Sequence, residues 1–412
     1  MKMNYKNISS IALLSLFNIF LFSCNSSSQE KKFTVTNRLP VARSSETVSI
    51  AIDQIPALVH EYGARNLQIR ETGSQETLLL QTIDTNADGK TDEIIFQTDI
   101  GANEEKRFVI EQKNGSTTTG MEGEAKAFSR FVPENNEDYA WENDRVAFRA
   151  YGRVTEARES GGTVSGGTSG IDAWFKRVSY PIIDKWYQIN QEAKLNKEAG
   201  APHIDTYHTD KGEGYDPYAV GSSRGIGGTG IWENDTLYVS KPFIQWKQIA
   251  SGPIRTIFEL SYAPWQACKR SIHEKKRISL DLGSNLSRHE VSISTSDHLP
   301  NIAAGIALHD QQGEIKAMPR EGWFRYWEPM DDSEVGVGIV LDPARVQSYI
   351  DPQNAAADDN LLVLMEAEEN KVVYYAGYGW KKSGQFSSPD EWDQYLQNFS
   401  MRLASPLAVE FR

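Results

Sequence analysis

Hydrophobic residues in this chain recur mostly with a period of two. In Ile254 to Tyr262, the residues Ile254, Thr256, Phe258, Leu260 and Tyr262 fall on one side of an extended segment, while Arg255, Glu259 and Ser261 fall on the other. A helix would need apolar residues three and four apart, so this alternation specifies a strand with one dry and one wet face. The pattern returns at Ile278, Leu280 and Leu282, at Val291 and Ile293, and in the runs Glu93 to Phe96, Val335 to Leu341 and Val372 to Ala376. Helical signals are few. The clearest is Ser388-Pro389-Asp390-Glu391 ahead of Trp392, with a serine N-cap, proline at the first helical position and a glutamate placed to close a capping box. Asp184 to Ala199, rich in Gln, Glu, Lys and Ala, predicts a second helix. Many strands punctuated by Gly and Pro predict an all-β chain, a large antiparallel β-sandwich with few short helices. No internal repeat or long linker divides it, so residues 32–412 read as a single catalytic domain.

The amino terminus reads as an export signal over residues 1–23. Lys2 and Lys6 form a basic start, Ile11 to Phe22 an apolar core too short to span a bilayer, and Leu21-Phe22-Ser23-Cys24 matches a lipobox. Cys24 is therefore expected to be lipidated, with residues 24–31 as a polar tether and the rest held to a membrane, in the periplasm or at the cell surface. An ordinary signal with a chance cysteine is the alternative. The chain has two cysteines, so lipidation of Cys24 leaves Cys268 alone and no disulfide is expected. A large buried core must supply the stability instead. The formal charge is −13, and loss of Lys2 and Lys6 makes it two units more negative. That argues against nucleic acid as a partner. Local Arg and Lys clusters can still capture an anionic small ligand. The oligomeric state is not legible.

Asp84, Asn86, Asp88 and Asp92 have the spacing of the front half of a calcium loop, with Gly89 where the turn is sharpest. Ile95 stands where an EF-hand needs a bidentate glutamate. A structural calcium site and a plain Asn/Asp/Gly turn both fit these letters. Neither supplies a cofactor for chemistry.

Chemistry concentrates in the middle of the chain. Arg145 and Arg149, spaced evenly ahead of a strand, are expected on one side of it, where two guanidiniums could bracket a carboxylate or sulfate or form a surface ion network with Glu142 and Asp144. Trp174 and Trp186 stand beside Lys176, Arg177 and Lys185, an arrangement that suits stacking on a sugar ring and equally suits buried indoles with snorkelling lysines. The stretch His203 to Gly228 holds His203, Tyr207, His208, Tyr215 and Arg224 among six glycines, without hydrophobic period. His203, Asp205 and His208 fit no strong metal-ligand spacing.

The strings Trp141-Glu-Asn-Asp-Arg145, Asp184-Lys-Trp-Tyr187, Tyr207-His208-x-Asp210-x-Gly212-Glu213-Gly214, Ser223-Arg224-Gly225 and Gly252-Pro-Ile-Arg255 resemble the domain-of-unknown-function 4861 family of exported bacterial proteins. Asp88-Gly89 and Asp92-Glu-Ile-Ile-Phe96 fit its amino-terminal part. The resemblance covers most of the mature chain. It implies a role in polysaccharide degradation, and one branch is similar to the oligosaccharide dehydratases of ulvan breakdown, which convert a terminal uronic acid into an unsaturated one. A supersandwich of galactose-mutarotase type is the corresponding fold expectation.

That chemistry sets requirements. Dehydration removes the C5 proton of a glucuronate or iduronate and expels hydroxide from C4, so the site must neutralise the carboxylate, accept one proton and donate another. His203, Tyr207 and His208 are the candidate acid and base, since histidine titrates near neutrality. Arg145, Arg149, Lys185 and Arg224 are candidate carboxylate clamps, with Trp186 and Tyr215 as sugar-binding surfaces. Glycoside hydrolysis through Glu142, Asp144, Glu213 or Asp216 is a second reading. A glycan-binding surface lipoprotein without turnover is a third.

Overall fold

In the computed structural model, which describes residues 30–113, 126–135, 137–152, 168–352 and 359–412, the two-residue alternation becomes a stack of pleated sheets. The expected export signal, Cys24 and all but the last residues of the tether lie outside the described residues. No described helix is long and apolar enough to cross a membrane. The protein is mostly β, with three α-helices among the described residues.

One face of the main sandwich is a nine-stranded antiparallel sheet running from Phe243–Ala250 through Arg255–Tyr262, Arg270–Asp281, Leu286–Ser294, Lys371–Trp380, Ser333–Leu341 and Trp323–Met330 to Glu314–Met318, with Trp265–Ala267 paired to the side. The facing layer consists of two five-stranded sheets. One contains Phe128–Val132, Asp138–Glu142, Ala147–Ala150, Ile171–Lys176 and Gly214–Tyr215; the other is built around Ile226–Glu233, Ile302–Ala307 and Asn360–Met365. A parallel bridge between Ile171 and Gly225 joins them. Phe258, Leu260 and Tyr262, the apolar side expected from sequence, enter the core between the layers with Trp141, Phe148, Phe175 and Ile278.

A second, smaller sheet pair stands beside the main sandwich within residues 32–412. Glu30–Thr36, Glu105–Gln112, Leu67–Glu71 and the carboxy-terminal strand Ala408–Phe411 form a four-stranded sheet that packs on Arg43–Ala51, Glu93–Ile100 and Leu80–Ile83. Their core is separate, centred on Phe33, Phe96 and Phe108, whose rings lie 5.3 to 5.9 Å apart. Alternation shows which residues face inward, but not which strands share a core, and here the last strand returns to pair with the first.

Both long helices form where expected. Pro389–Ala404 begins at Ser388, whose side chain accepts from Glu391 N, while Glu391 accepts from Ser387 N at 2.7 Å. Trp392 and Leu396 press onto the nine-stranded sheet at Gly336 and Gly338, where an added Cβ would meet Trp392 at 2.5 Å and Leu396 at 2.6 Å. Ile183–Glu198 covers the outer face of the sheet that carries Arg149.

Candidate active site

The strands Asp138–Glu142, Ala147–Ala150 and Ile171–Lys176 are buried on both faces. Tyr139, Trp141, Phe148, Ala173 and Phe175 point into the sandwich core. Ala140, Ala147 and Trp174 point the other way, under Ile182, Ile183, Trp186, Tyr187 and Tyr207. Register then puts charge beneath this cover. Arg149 lies directly across from Asp172 and Ala140, so Asp138, two residues before Ala140, shares its face.

Arg149 is surrounded by acids. Its Nε donates to Asp172 Oδ2 at 2.9 Å, Nη2 pairs with the same oxygen, Nη2 stands 3.3 Å from Asp216 Oδ2 and Nη1 3.9 Å from Asp138 Oδ2. Burial works against the guanidinium charge, but Asp172 and Asp216 outweigh it and Arg149 stays firmly protonated. One cation cannot balance three buried carboxylates. Burial pushes Asp138 up to about 6, with Arg149 opposing, and raises Asp172 against the same opposition. Asp216 is lifted well above the carboxylate range, first by burial and then by Asp172. Asp172 holds the closest contact to Arg149, which leaves Asp216 as the carboxyl where burial and a like charge act together to favour the protonated form.

Asp216 is also where the cluster meets the His203 to Gly228 stretch. Its backbone N–H donates to Tyr207 O at 2.8 Å, and His208 Nδ1 lies 3.8 Å from Asp216 Oδ2 and 3.4 Å from Asp216 O. The Asp216 side chain is 5% exposed and that of His208 61%, so the imidazole links the buried acid to solvent. Tyr207 lies buried beside it. Its ring stacks on Trp174 at 4.8 Å and lies 6.2 Å from Trp186, and burial pushes its phenol up to about 12. His203 is 84% exposed and reaches only Asp205, at 3.3 Å, so sequence proximity to His208 does not bring it to the acids. Lys185 and Trp186 do sit nearby: both approach Glu213, at 2.7 and 3.4 Å. Tyr215 turns away, its hydroxyl donating to Asp331 at 2.6 Å.

Other expected members lie elsewhere. Arg145 does not share a face with Arg149. It belongs to the turn before the strand, where Asn143 Oδ1 accepts its N–H, and its guanidinium reaches Asn285 Oδ1 at 3.3 Å. Arg224 is no surface clamp: it is buried, donating to Ser169 Oγ at 2.9 Å and Thr168 Oγ1 at 3.2 Å, and burial lowers it to about 10. Glu142 pairs with Lys176 at 2.6 Å and accepts the N–H groups of Ile182 and Ile183 at the start of the covering helix. In the Asp84 loop, Asp84, Asn86 and Asp88 accept backbone N–H groups of their own turn, and Asp92 accepts from Thr85. Among the described residues no group of three or more His, Cys, Asp or Glu side chains is arranged to hold a metal ion.

Asp138, Asp172 and Tyr187 were not legible as site residues. Ile171-Asp172-Ala-Trp174 stood out through its tryptophan and the cations that follow it, and the available signal for Asp172 was one acid between apolar residues. A second, largely buried pair joins His309, one of the histidines, to Glu328, which the sequence did not single out. His309 Nδ1 lies 2.7 Å from Glu328 Oε1, with the Tyr218 ring edge-on at 4.5 Å. Burial, then Glu328 and Asp172, raise the Tyr218 phenol.

A mostly β protein of two sandwiches, with a buried acid cluster around one arginine and a histidine beside it, is the class that fold and site define. The chain belongs to the family described as "Domain of unknown function (DUF4861)", which it matches over residues 35–409. It is similar to "Uncharacterized protein P7" of Formosa agariphila, with 38% identity over 414 residues, covering 99% of this chain and 100% of that protein. Among solved structures it is similar to a protein in the Glycosyl Hydrolase Family 38 from Enterococcus faecalis, with a TM-score of 0.47 and 10% identity over 93% of this chain and 47% of that one. It is similar also to an alpha-mannosidase from the same organism, with a TM-score of 0.49 and 11% identity over 93% and 46%. The chain spans about half the length of those two proteins.

Proposed function

We propose that this protein is a carbohydrate-active enzyme of polysaccharide degradation, a carbon-oxygen lyase that eliminates water across C4 and C5 of a terminal uronic acid in acidic oligosaccharides such as ulvan fragments. The observation that carries the reading is the 3.8 Å approach of Asp216, a carboxyl whose burial favours its protonated form, to His208, an exposed imidazole. Elimination needs one group of each kind.

His208 takes the C5 proton, the C5–H electron pair forms the C4=C5 bond, and the C4–O bond breaks. Asp216 donates its proton to the departing oxygen, which leaves as water. The proton on His208 then returns to Asp216 across the 3.8 Å gap, and the pair is reset. Arg149 does not clamp the substrate, because Asp172 and Asp216 already occupy it; it holds the acids in place. Lys185, 54% exposed, is the cation we assign to the substrate carboxylate; Glu213 keeps Tyr180 and Trp186 as partners when Lys185 turns to the substrate. Tyr207, Trp174 and Trp186 form the aromatic floor under the histidine.

Hydrolysis is less well served. Glu142 is committed to Lys176 and to helix N–H groups, Asp144 accepts from Gly283 N, and Glu213 is held by Lys185 and Tyr180. Incubation of the soluble protein lacking residues 1–24 with uronic-acid oligosaccharides, followed by mass measurement, separates the readings: loss of one water supports elimination, gain of one water supports hydrolysis. The proposal includes lipidation at Cys24 and a membrane-held location. Fatty-acid labelling that marks the wild type and not Cys24→Ala supports that part, and absence of label on the wild type contradicts it.

A further inference from the structure

The small sandwich, the outer face of the nine-stranded sheet and the helix Pro389–Ala404 enclose a cavity of about 700 Å³. No member of the Asp216 cluster lines it. Two of the sequence strings that marked the family meet there: Trp141-Glu-Asn-Asp-Arg145 supplies Arg145 and Gly252-Pro-Ile-Arg255 supplies Arg255. The first string is clamped to the opposite turn, because Asn143 Nδ2 donates to Asp281 O and Ser284 O at 2.6 and 2.7 Å and Asp144 accepts from Gly283 N at 2.7 Å. Arg145 is thereby held on the cavity wall.

The wall carries Arg145, Arg255, Arg288 and Arg402 against only Glu46 and Asp281, a cationic surplus in a protein of formal charge −13. Three of the arginines have partners. Arg255 pairs with Asp281 at 2.5 Å, Arg402 with Glu46 at 3.2 Å and Arg288 with Glu290 at 3.0 Å. Arg145 differs: its guanidinium reaches the neutral Asn285 Oδ1, and no ion pair joins it to a described carboxylate. The N–H of the same Asn285 donates to Tyr395 Oη at 3.0 Å. One residue therefore fixes both an unneutralised cation and an aromatic ring, and Phe399 and Tyr375 extend the aromatic wall, with ring centroids 4.9 Å apart.

We infer that this cavity is a second saccharide-binding site, separate from the Asp216 cluster, that takes an anionic sugar unit with its carboxylate or sulfate on Arg145 and a ring face on Tyr395 or Phe399. An arginine suits either anion, because its planar fork matches both. Aromatic rings offer an apolar face to pyranose C–H bonds, and the serines on the wall, among them Ser45, Ser279 and Ser284, offer hydroxyl partners. The volume fits small-ligand sites generally and leaves room for more than one ring. The choice of saccharide as the ligand class rests on the proposed function; the anion-binding wall does not.

The test is titration calorimetry with a sulfated uronic-acid tetrasaccharide from ulvan, on full-length mature protein carrying Asp216→Asn to suppress turnover. Desulfated, carboxyl-reduced and neutral tetrasaccharides serve as further arms. The inference expects two classes of site, one of which Arg145→Ala weakens by roughly tenfold or more while Arg145→Lys weakens it less. Loss in the desulfated arm assigns the anion as sulfate, and loss in the carboxyl-reduced arm as carboxylate. A single class of site that vanishes with Arg145→Ala upholds the cavity and counts against substrate binding at Asp216. A single class indifferent to Arg145→Ala, in variants with wild-type melting, overturns the cavity and leaves the Asp216 reading standing.

Discussion

His208 Nδ1 stands 3.8 Å from Asp216 Oδ2, an exposed imidazole touching a carboxyl that is otherwise closed off from solvent. Because the ring is largely solvated and its loss removes little packing, His208→Ala should leave the melting temperature nearly unchanged. Turnover should fall by about a hundredfold or more, the usual contribution of a positioned acid or base. His203→Ala, which loses only the contact to Asp205, should behave as wild type. Initial rates and thermal melts of the two variants check this; equal rates for both would remove the histidine from the chemistry.

Asp216→Asn should separate stability from activity. The carboxyl lies where burial and Asp172 both oppose its charge, so the neutral amide relieves a cost that the native protein bears. Denaturant unfolding at neutral pH should show equal or greater stability than wild type, while turnover is lost with the proton donor. A variant both inactive and strongly destabilised would instead mark Asp216 as a structural partner of Arg149.

Asp138 makes a prediction in pH. Its folded-state value, pushed up to about 6, lies above the unfolded range, so the folded protein binds this proton more tightly. The stability from that proton is fully present below about pH 4 and is lost as pH rises through about 6. Asp138→Asn should match wild type at the acid end and exceed it above pH 6 by on the order of 1–3 kcal/mol. His289 acts oppositely: burial, then Lys276 and Arg288, hold it down near 3, so its contribution is lost as pH falls below about 6.5. The quantity to follow is therefore the difference between wild type and variant in urea unfolding across pH. A difference that does not change with pH would contradict the raised carboxyl.

Much of the architecture was legible because alternation and capping are local. Ile254 to Tyr262 declared its buried side, and Ser388 with Pro389 declared a helix, without reference to anything distant. The pairing of Ala408–Phe411 with Glu30–Thr36 depends on contacts across the whole chain, and nothing local announces it. The site divides the same way. The stretch from His203 showed that chemistry was concentrated there, and His208 and Asp216 both lie within it. Arg149 read as a free clamp because its neutralising partners, Asp172 and Asp138, sit on other strands and become neighbours only through register. Arg145 was paired with Arg149 by even spacing, but a period of two holds only inside a strand, and Arg145 precedes the one at Ala147.

The 3.8 Å separation also bears most directly on the central claim. An acid and a base this close act on the same side of the sugar, and in glucuronate the C5 hydrogen and the C4 oxygen lie on one face of the ring, whereas in iduronate they lie on opposite faces. The decisive measurement is therefore the mass and absorbance of paired oligosaccharides that differ only in a terminal glucuronate or iduronate, followed with time in the presence of wild-type protein. The account predicts that the glucuronate compound loses one water and gains the absorbance of a conjugated C4=C5 bond, faster than its iduronate counterpart and not at all with Asp216→Asn. Products that gain a water, or two compounds left unchanged by the wild type, would contradict it.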